Sequence, residues 1–207
     1  LAGLNRHIDE DIIYQTNLDL SKKLIEACES ANAKPHILFS SSIQEDSDNA
    51  YGNSKKASHQ LFLNWAEKEN AAFTGVIIPN VFGPFGKPYY NSVVATFCHQ
   101  LTHGERPEIN VDGTLRFIYV NELVDIFINH IYKKKVISET VNVGYTSELK
   151  VSELLDKLTF FKDNYLEKGV IPDLSVTFDK NLFNTYLCYI DHENFFPFHL
   201  TKHSDNR

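Results

Sequence analysis

The sequence predicts an α/β fold, a parallel β-sheet with helices on both faces, followed by a small C-terminal lobe. Three observations carry this. Short apolar runs alternate with longer amphipathic segments up to about residue 144. The strand candidates are almost continuously apolar, as strands covered on both faces are. Past about residue 165 the alternation loosens and aromatic residues crowd toward "FFPFH".

Taken in order, "DEDIIYQTNLDLSKKLIEACES" (9–30) has helical spacing with acids in its first turn, where they suit the positive end of the helix. "HILFS" (36–40), behind Pro35, is a buried strand. "SKKASHQLFLNWAEKE" (54–69) is an amphipathic helix, and "FTGVIIPN" (73–80) a strand stopped by Pro79. "NSVVATFCHQLTHG" (91–104) is a helix with an Asn or Ser cap and a terminal glycine. "PEINV" (107–111) and "FIYV" (117–120) are short strands. "NELVDIFINHIYKK" (121–134) is a helix closed by lysines, "TVNVG" (140–144) a strand, and "KVSELLDKLTFF" (150–161) a helix.

Composition narrows the class. The chain has 207 residues, 43% hydrophobic and 23% charged, with net charge −7. That is ordinary for a globular domain, and it lacks the basic footprint of a nucleic-acid binder. No apolar stretch is long enough to span a bilayer. Cys28, Cys98 and Cys188 are odd in number, far apart and in apolar contexts, so they read as buried thiols of a reducing compartment. There is no methionine, and "LAGLNRH" reads as the end of a buried strand entering a loop. The expectation is a piece of a longer protein.

The chemistry sits in "SSSIQEDSDNAYGNSK" (40–55). Serine runs and Asp-Asn-Gly-rich stretches are ordinary turns, and a Tyr four residues before a Lys is common by chance. Placement argues for more. The serines close a buried strand and the Tyr-Lys pair opens the next helix, so both lie at the carboxyl end of a parallel sheet, where ligands bind. Tyr51 and Lys55 share one helix face. An ammonium beside a phenol favours phenolate, which fits Tyr51 to exchange a proton with a carbonyl oxygen. Ser42, the serine furthest from the strand, is placed to hydrogen-bond the same oxygen.

Other candidates are weaker. Asn80, Asn91 and Ser92 offer side-chain and helix-end donors to a diphosphate, although Asn91 serves equally as a plain helix cap. His99 and His103 are four apart, but no third ligand accompanies them, so packing explains them and no metal is expected. His192, His199 and His203 are scattered, and Lys133–Lys135 reads as a solvated helix end. The aromatics of 183–198 read as core or interface. No G-x-S-x-G surrounds the serines, against a serine hydrolase.

These residues resemble the extended short-chain dehydrogenase/reductase family, also described as NAD-dependent epimerase/dehydratase, in its nucleotide-sugar branch. "LAG", "TNLDLSKKLIEAC" with Asn17, "LFSSSIQ", "YGNSK", "IIPNVFGP" and "TVNVGYTSELKVSELLDKL" carry the resemblance over nearly the whole chain. "PNVFGPFGKPYYNSVVATFC" and "LFNTYLCYI" further resemble the bifunctional capsular-polysaccharide enzymes of UDP-N-acetyl-L-fucosamine synthesis. The resemblance implies a Rossmann-like domain, with residues 1–85 and 117–145 binding nucleotide and residues 86–116 and 146–200 forming a substrate lobe. A cupin domain would follow.

It also implies NADPH-dependent reduction of the 4-keto group of a UDP-linked 2-acetamido-6-deoxy sugar. The cofactor is NADP, with NAD as the alternative. Ser42, Tyr51 and Lys55 would be catalytic. Ala2, Gly3, Ser40, Tyr51, Lys55 and Pro79 would hold the cofactor, and Asn80, Asn91, Ser92 and Arg116 the UDP-sugar. A cytoplasmic homodimer is expected, with no membrane or nucleic-acid partner.

The departures are specific. The family's glycine-rich phosphate loop is missing from these residues, so this stretch alone is expected to be inactive. Position 77, often Arg in the family, is Ile77, and the usual Arg-Asp pair is replaced by Leu115 and Arg116. Ile43 and Gln44 stand where a dehydratase carries Asp-Glu. A UDP-sugar 4-epimerase holding NAD, and a non-catalytic dinucleotide-binding scaffold or sensor, remain the other readings.

Overall fold

A computed structural model describes residues 3–132, 138–193 and 195. Ala2, the Lys133–Lys135 run, His199, His203 and the aromatics beyond Phe195 lie outside the described residues. In chain order the elements are α1 (Glu10–Ser30), β1 (Ile37–Ser42), α2 (Ala50–Glu69), β2 (Phe73–Ile78), β3 (Asn80–Phe82), α3 (Val93–Thr102), β4 (Thr114–Tyr119), α4 (Val120–Ile131), β5 (Ser138–Asn142), β6 (Ser147–Lys150), α5 (Val151–Phe161) and α6 (Thr177–Leu187). A 3-10 turn covers Ile43–Asp46 and a π turn Lys162–Leu166. The predicted α/β class holds, with a parallel sheet and helices on both sides.

The chain divides into two compact units. The first comprises Leu1–Val81 and Val120–Tyr145. Its sheet has the order β1-β2-β5, all parallel. The central strand β2 is the most enclosed, with Phe73 and Val76 fully buried. α1 starts at the cap Asp9, whose carboxylate accepts from the Asp11 N–H at 3.0 Å. It lays Ile25 and Cys28 against Phe62, Trp65 and Ala66 of α2 and Ile37 and Phe73 of the sheet. Each large side chain in that cluster contributes about 1.5–3 kcal/mol by leaving water.

The second unit comprises Phe82–Tyr119 and Thr146–Arg207. β4 and β6 pair antiparallel, with Arg116 opposite Glu148. Its interior is aliphatic and aromatic. Leu154, Leu158 and Leu182 are fully buried, and Phe161 meets Phe183 edge-on with ring centroids 5.2 Å apart.

Several expectations are corrected. "PEINV" forms no strand. Pro107 has no N–H to give a ladder, and Asp112 is spent accepting from the Ser152 N–H and hydroxyl at 2.8 and 2.9 Å. Pairing therefore starts only at Thr114. α2 begins at Ala50, ahead of the expected start at 54, because Asn49 caps it through the Gly52 N–H at 2.8 Å. α3 is capped by Ser92, so Asn91 is not its cap. The loose C-terminal pattern hides α6, whose buried face carries Leu182, Phe183 and Tyr186. Of the three thiols only Cys28 and Cys98 are buried. Cys188 closes α6 half-exposed, its thiol toward the Asn184 carbonyl at 3.5 Å.

Candidate active site

The site is built where β1 hands over to α2. In-register pairing of Ser42 with Ile78 brings the carboxyl ends of β1 and β2 level, so buried Pro79 and half-buried Asn80 leave the sheet beside the serines. Strand alternation sends Ser41 to the side opposite Ser40 and Ser42. Ser41 is buried, whereas Ser40 and Ser42 are half-buried. The Ser42 hydroxyl accepts from the Gln44 N–H at 3.2 Å and caps the 3-10 turn. That turn sits tightly on α2. A Cβ on Gly52 would lie 2.0 Å from the Gln44 carbonyl oxygen, so glycine after Tyr51 lets the first turn of α2 close on the serine segment.

Lys55 occupies the next turn of α2 and is 8% exposed. Its Nζ donates to the Ser40 carbonyl at 3.0 Å and lies 5.6 Å from the Tyr51 ring centroid and 5.1 Å from that of Phe39. Burial holds its pKa below the ordinary lysine value, and the nearby Glu45 carboxylate works against that shift. Asn17 of α1 ties the opening loop down. Its amide accepts from the Leu4 N–H at 2.6 Å and donates to the Leu4 carbonyl at 2.7 Å and to the Ser54 hydroxyl at 2.9 Å. Ser54 in turn donates to the Tyr51 carbonyl at 2.7 Å.

This lacing puts Gly3 next to the ammonium. A Cβ there would lie 3.3 Å from Asn17 Oδ1 and 3.9 Å from Lys55 Nζ. A bare backbone beside a buried cation and strand-end carbonyls suits the close approach of a ribose and a flat ring. Gly3, Ser40, Tyr51 and Lys55 thus come together. Arg116 pairs with Glu148, Nε to Oε2 at 2.6 Å, as an exposed cross-strand bridge of the second unit. Asn91 is exposed in that unit, and the Ser92 hydroxyl accepts from the Ala95 N–H at 3.2 Å. The rings of His99 and His103 stack 3.9 Å apart. Among the described residues no trio of His, Cys, Asp or Glu is placed to hold a metal, and no helix is long and apolar enough to cross a membrane.

Sequence reasoning missed Glu45 and His59. Glu45 accepts from the Ser41 hydroxyl and lies 3.0 Å from His59 Nδ1, and His59 Nε2 lies 3.0 Å from the Thr140 hydroxyl. The one available signal was that His59 follows Lys55 by four residues and so shares its helix face.

Known proteins bear on this arrangement. The chain is 30% identical over 208 aligned residues to a UDP-2-acetamido-2,6-beta-L-arabino-hexul-4-ose reductase of Pseudomonas aeruginosa, covering 100% of this chain and 55% of that protein. The crystal structure of the capsular polysaccharide assembling protein CapF from Staphylococcus aureus superposes with a TM-score of 0.77 at 33% identity, over 90% of this chain and 52% of that one. A UDP-N-acetylglucosamine 4-epimerase of Methanobrevibacter ruminantium shares the fold, with a TM-score of 0.74 at 22% identity over 91% of this chain and 74% of that one. The chain thus spans about half the length of the first two. Residues 2–144, well over half the sequence, match the NAD dependent epimerase/dehydratase family, and the chain belongs to it.

Proposed function

We propose that the protein containing this chain is a nucleotide-sugar reductase, reducing the 4-keto group of a UDP-linked 2-acetamido-6-deoxy sugar with NADPH. The observation that carries the reading is the buried Lys55 ammonium held between the Ser40 carbonyl, the Tyr51 ring and the bare Gly3. The reductase of Pseudomonas aeruginosa, matched along the whole chain, supports the choice of substrate.

Bound nicotinamide supplies a hydride to the keto carbon. Everything else falls to the chain. Tyr51 delivers its phenolic proton to the keto oxygen. Lys55 favours the phenolate left behind and binds the ribose hydroxyls, and Ser42 donates a hydrogen bond to the same oxygen. Ala2, Gly3, Ser40 and Pro79 line the nicotinamide side. Asn80, Asn91, Ser92 and Arg116 receive the sugar diphosphate, Arg116 after exchanging Glu148 for phosphate. The pyrophosphate loop lies outside these residues. A cytoplasmic homodimer completes the reading.

The test follows NADPH and NADH absorbance with the full-length gene product and a UDP-linked 4-keto-6-deoxy-N-acetylhexosamine, beside Tyr51→Phe. Loss of the phenol is expected to reduce turnover at least about 100-fold. Interconversion of UDP-sugars without net cofactor consumption would replace the reductase by an epimerase. Dinucleotide binding without either reaction would leave a scaffold or sensor.

A further inference from the structure

Behind the catalytic face runs a second line of polar groups that the proposed chemistry does not use. Ser41 of β1 donates to Glu45 of the 3-10 turn, Glu45 Oε1 lies 3.0 Å from His59 Nδ1 of α2, and His59 Nε2 lies 3.0 Å from Thr140 Oγ1 of β5. The Glu45 and His59 side chains are only 11% and 10% exposed. An ionised carboxylate only accepts, so His59 donates from Nδ1 toward Glu45, while its Nε2 shares a hydrogen bond with the Thr140 hydroxyl. The ring crosses the middle strand at Gly75, where a Cβ would lie 2.3 Å from Nε2. The line thus ties the two outer strands of the parallel sheet to α2 and to the turn, passing over the middle one.

Both ends of the proposed site hang on this line. Ser42 caps the same turn that carries Glu45. Ser40, whose carbonyl holds Lys55, flanks Ser41. Lys55 and His59 are successive residues on one face of α2. Withdrawing Ser41, Glu45 and His59 from water is unfavourable unless each is satisfied, and here they satisfy one another, with the hydroxyl of exposed Thr140 closing the line. Burial alone would raise the Glu45 carboxyl, but the hydrogen bonds from His59 and Ser41 outweigh it and hold it below its ordinary value. Glu45 is therefore a standing negative charge near the Lys55 ammonium.

We infer that Glu45 and His59 are positioning residues: held by Ser41 and Thr140, they fix the Ser42 turn and sustain the charge on Lys55. The inference rests on the reductase reading for its catalytic consequence only. The groups facing the pair are Lys55 and Lys56 of α2, Ser41 of β1 and Thr140 of β5.

The experiment uses the full-length protein with Glu45→Gln and His59→Gln, each checked for an unchanged melting temperature. Turnover of the keto sugar is expected to fall about tenfold to 100-fold, with KM for the sugar nearly unchanged, as misplacement of reacting groups gives. In Glu45→Gln the descending alkaline limb of kcat should move to lower pH, because Lys55 loses the charge that sustains its ammonium. A merely structural loss would lower the melting temperature and leave the limb in place. In parallel, labelling of Lys55 by an amine-reactive reagent is followed against pH by peptide mass spectrometry. Its midpoint should also move to lower pH in Glu45→Gln. This second readout needs no turnover, so a wild type inert toward the sugar would overturn the reductase reading and still judge the inference. An unmoved labelling midpoint, or an unmoved alkaline limb with full kcat, would overturn it.

Discussion

The two units use their interiors differently. Among the described residues, Asn17, Ser21, Ser41, Ser54, Lys55, Ser58, His59, Thr74 and His130 are the buried polar residues of the first unit, whereas the second buries Asn181, Thr185 and the hydroxyl of Tyr186. The second unit keeps its charges on the surface, as in Arg116–Glu148 and Lys162–Glu167, and fills its centre with leucine and aromatic rings. An apolar centre holds by shape and area and tolerates small adjustments. A buried polar line holds by direction, since each donor has one acceptor, and that is what orienting a proton donor requires. The first unit therefore sacrifices stability for geometry, and the second does not.

The sharpest way to break this contrast is Lys55→Met. Turnover should fall at least about 100-fold, while stability stays level or rises because a buried ammonium has gone. Urea unfolding at several pH values gives the sign. Burial lowers the Lys55 pKa from 10.5, so the unfolded chain holds the proton more tightly than the folded one. Wild-type stability should climb with pH between the lowered folded value and the ordinary one, and Lys55→Met should flatten that climb. A large loss of stability would mean that Lys55 is structural.

Leu158→Ala is the mirror experiment in the second unit. It should cost about 2–5 kcal/mol in urea unfolding through the cavity left at a fully buried position. Dinucleotide affinity should stay unchanged, because Lys55, Tyr51 and Gly3 belong to the first unit. Gly75→Ala comes next. Its methyl group meets the His59 ring, so about 1–3 kcal/mol is expected from overpacking, with a loss of turnover resembling that of His59→Gln. Smallest of all is Arg116→Ala, worth less than about 1 kcal/mol as an exposed pair. A raised KM for the UDP-sugar at unchanged stability would mark Arg116 as a diphosphate ligand, and an unchanged KM would leave it a surface bridge.

What the sequence revealed follows locality rather than the boundary between the units. α1, β1, β2 and α5 were legible because their apolar periodicity is local and their caps are adjacent. Tyr51 and Lys55 were legible because four residues on a helix define a face. β6, "SELK", was not, since its four residues owe their extended form to pairing with β4, 32 residues away at Arg116–Glu148. α6 was masked by aromatics that fit a helix only once Phe161 and Tyr165 supply their partners. Glu45 and His59 look like ordinary surface residues in the chain, and room for the His59 ring depends on a distant glycine, Gly75 of β2.

That glycine constrains what can be substituted around it. With nothing but hydrogen at position 75, the imidazole at 59 sits undisturbed; a methyl group there would have to push the ring aside. The two positions are therefore sterically coupled. Replacing the histidine would free position 75 for a larger side chain, and with that in place a restored imidazole would meet a clash.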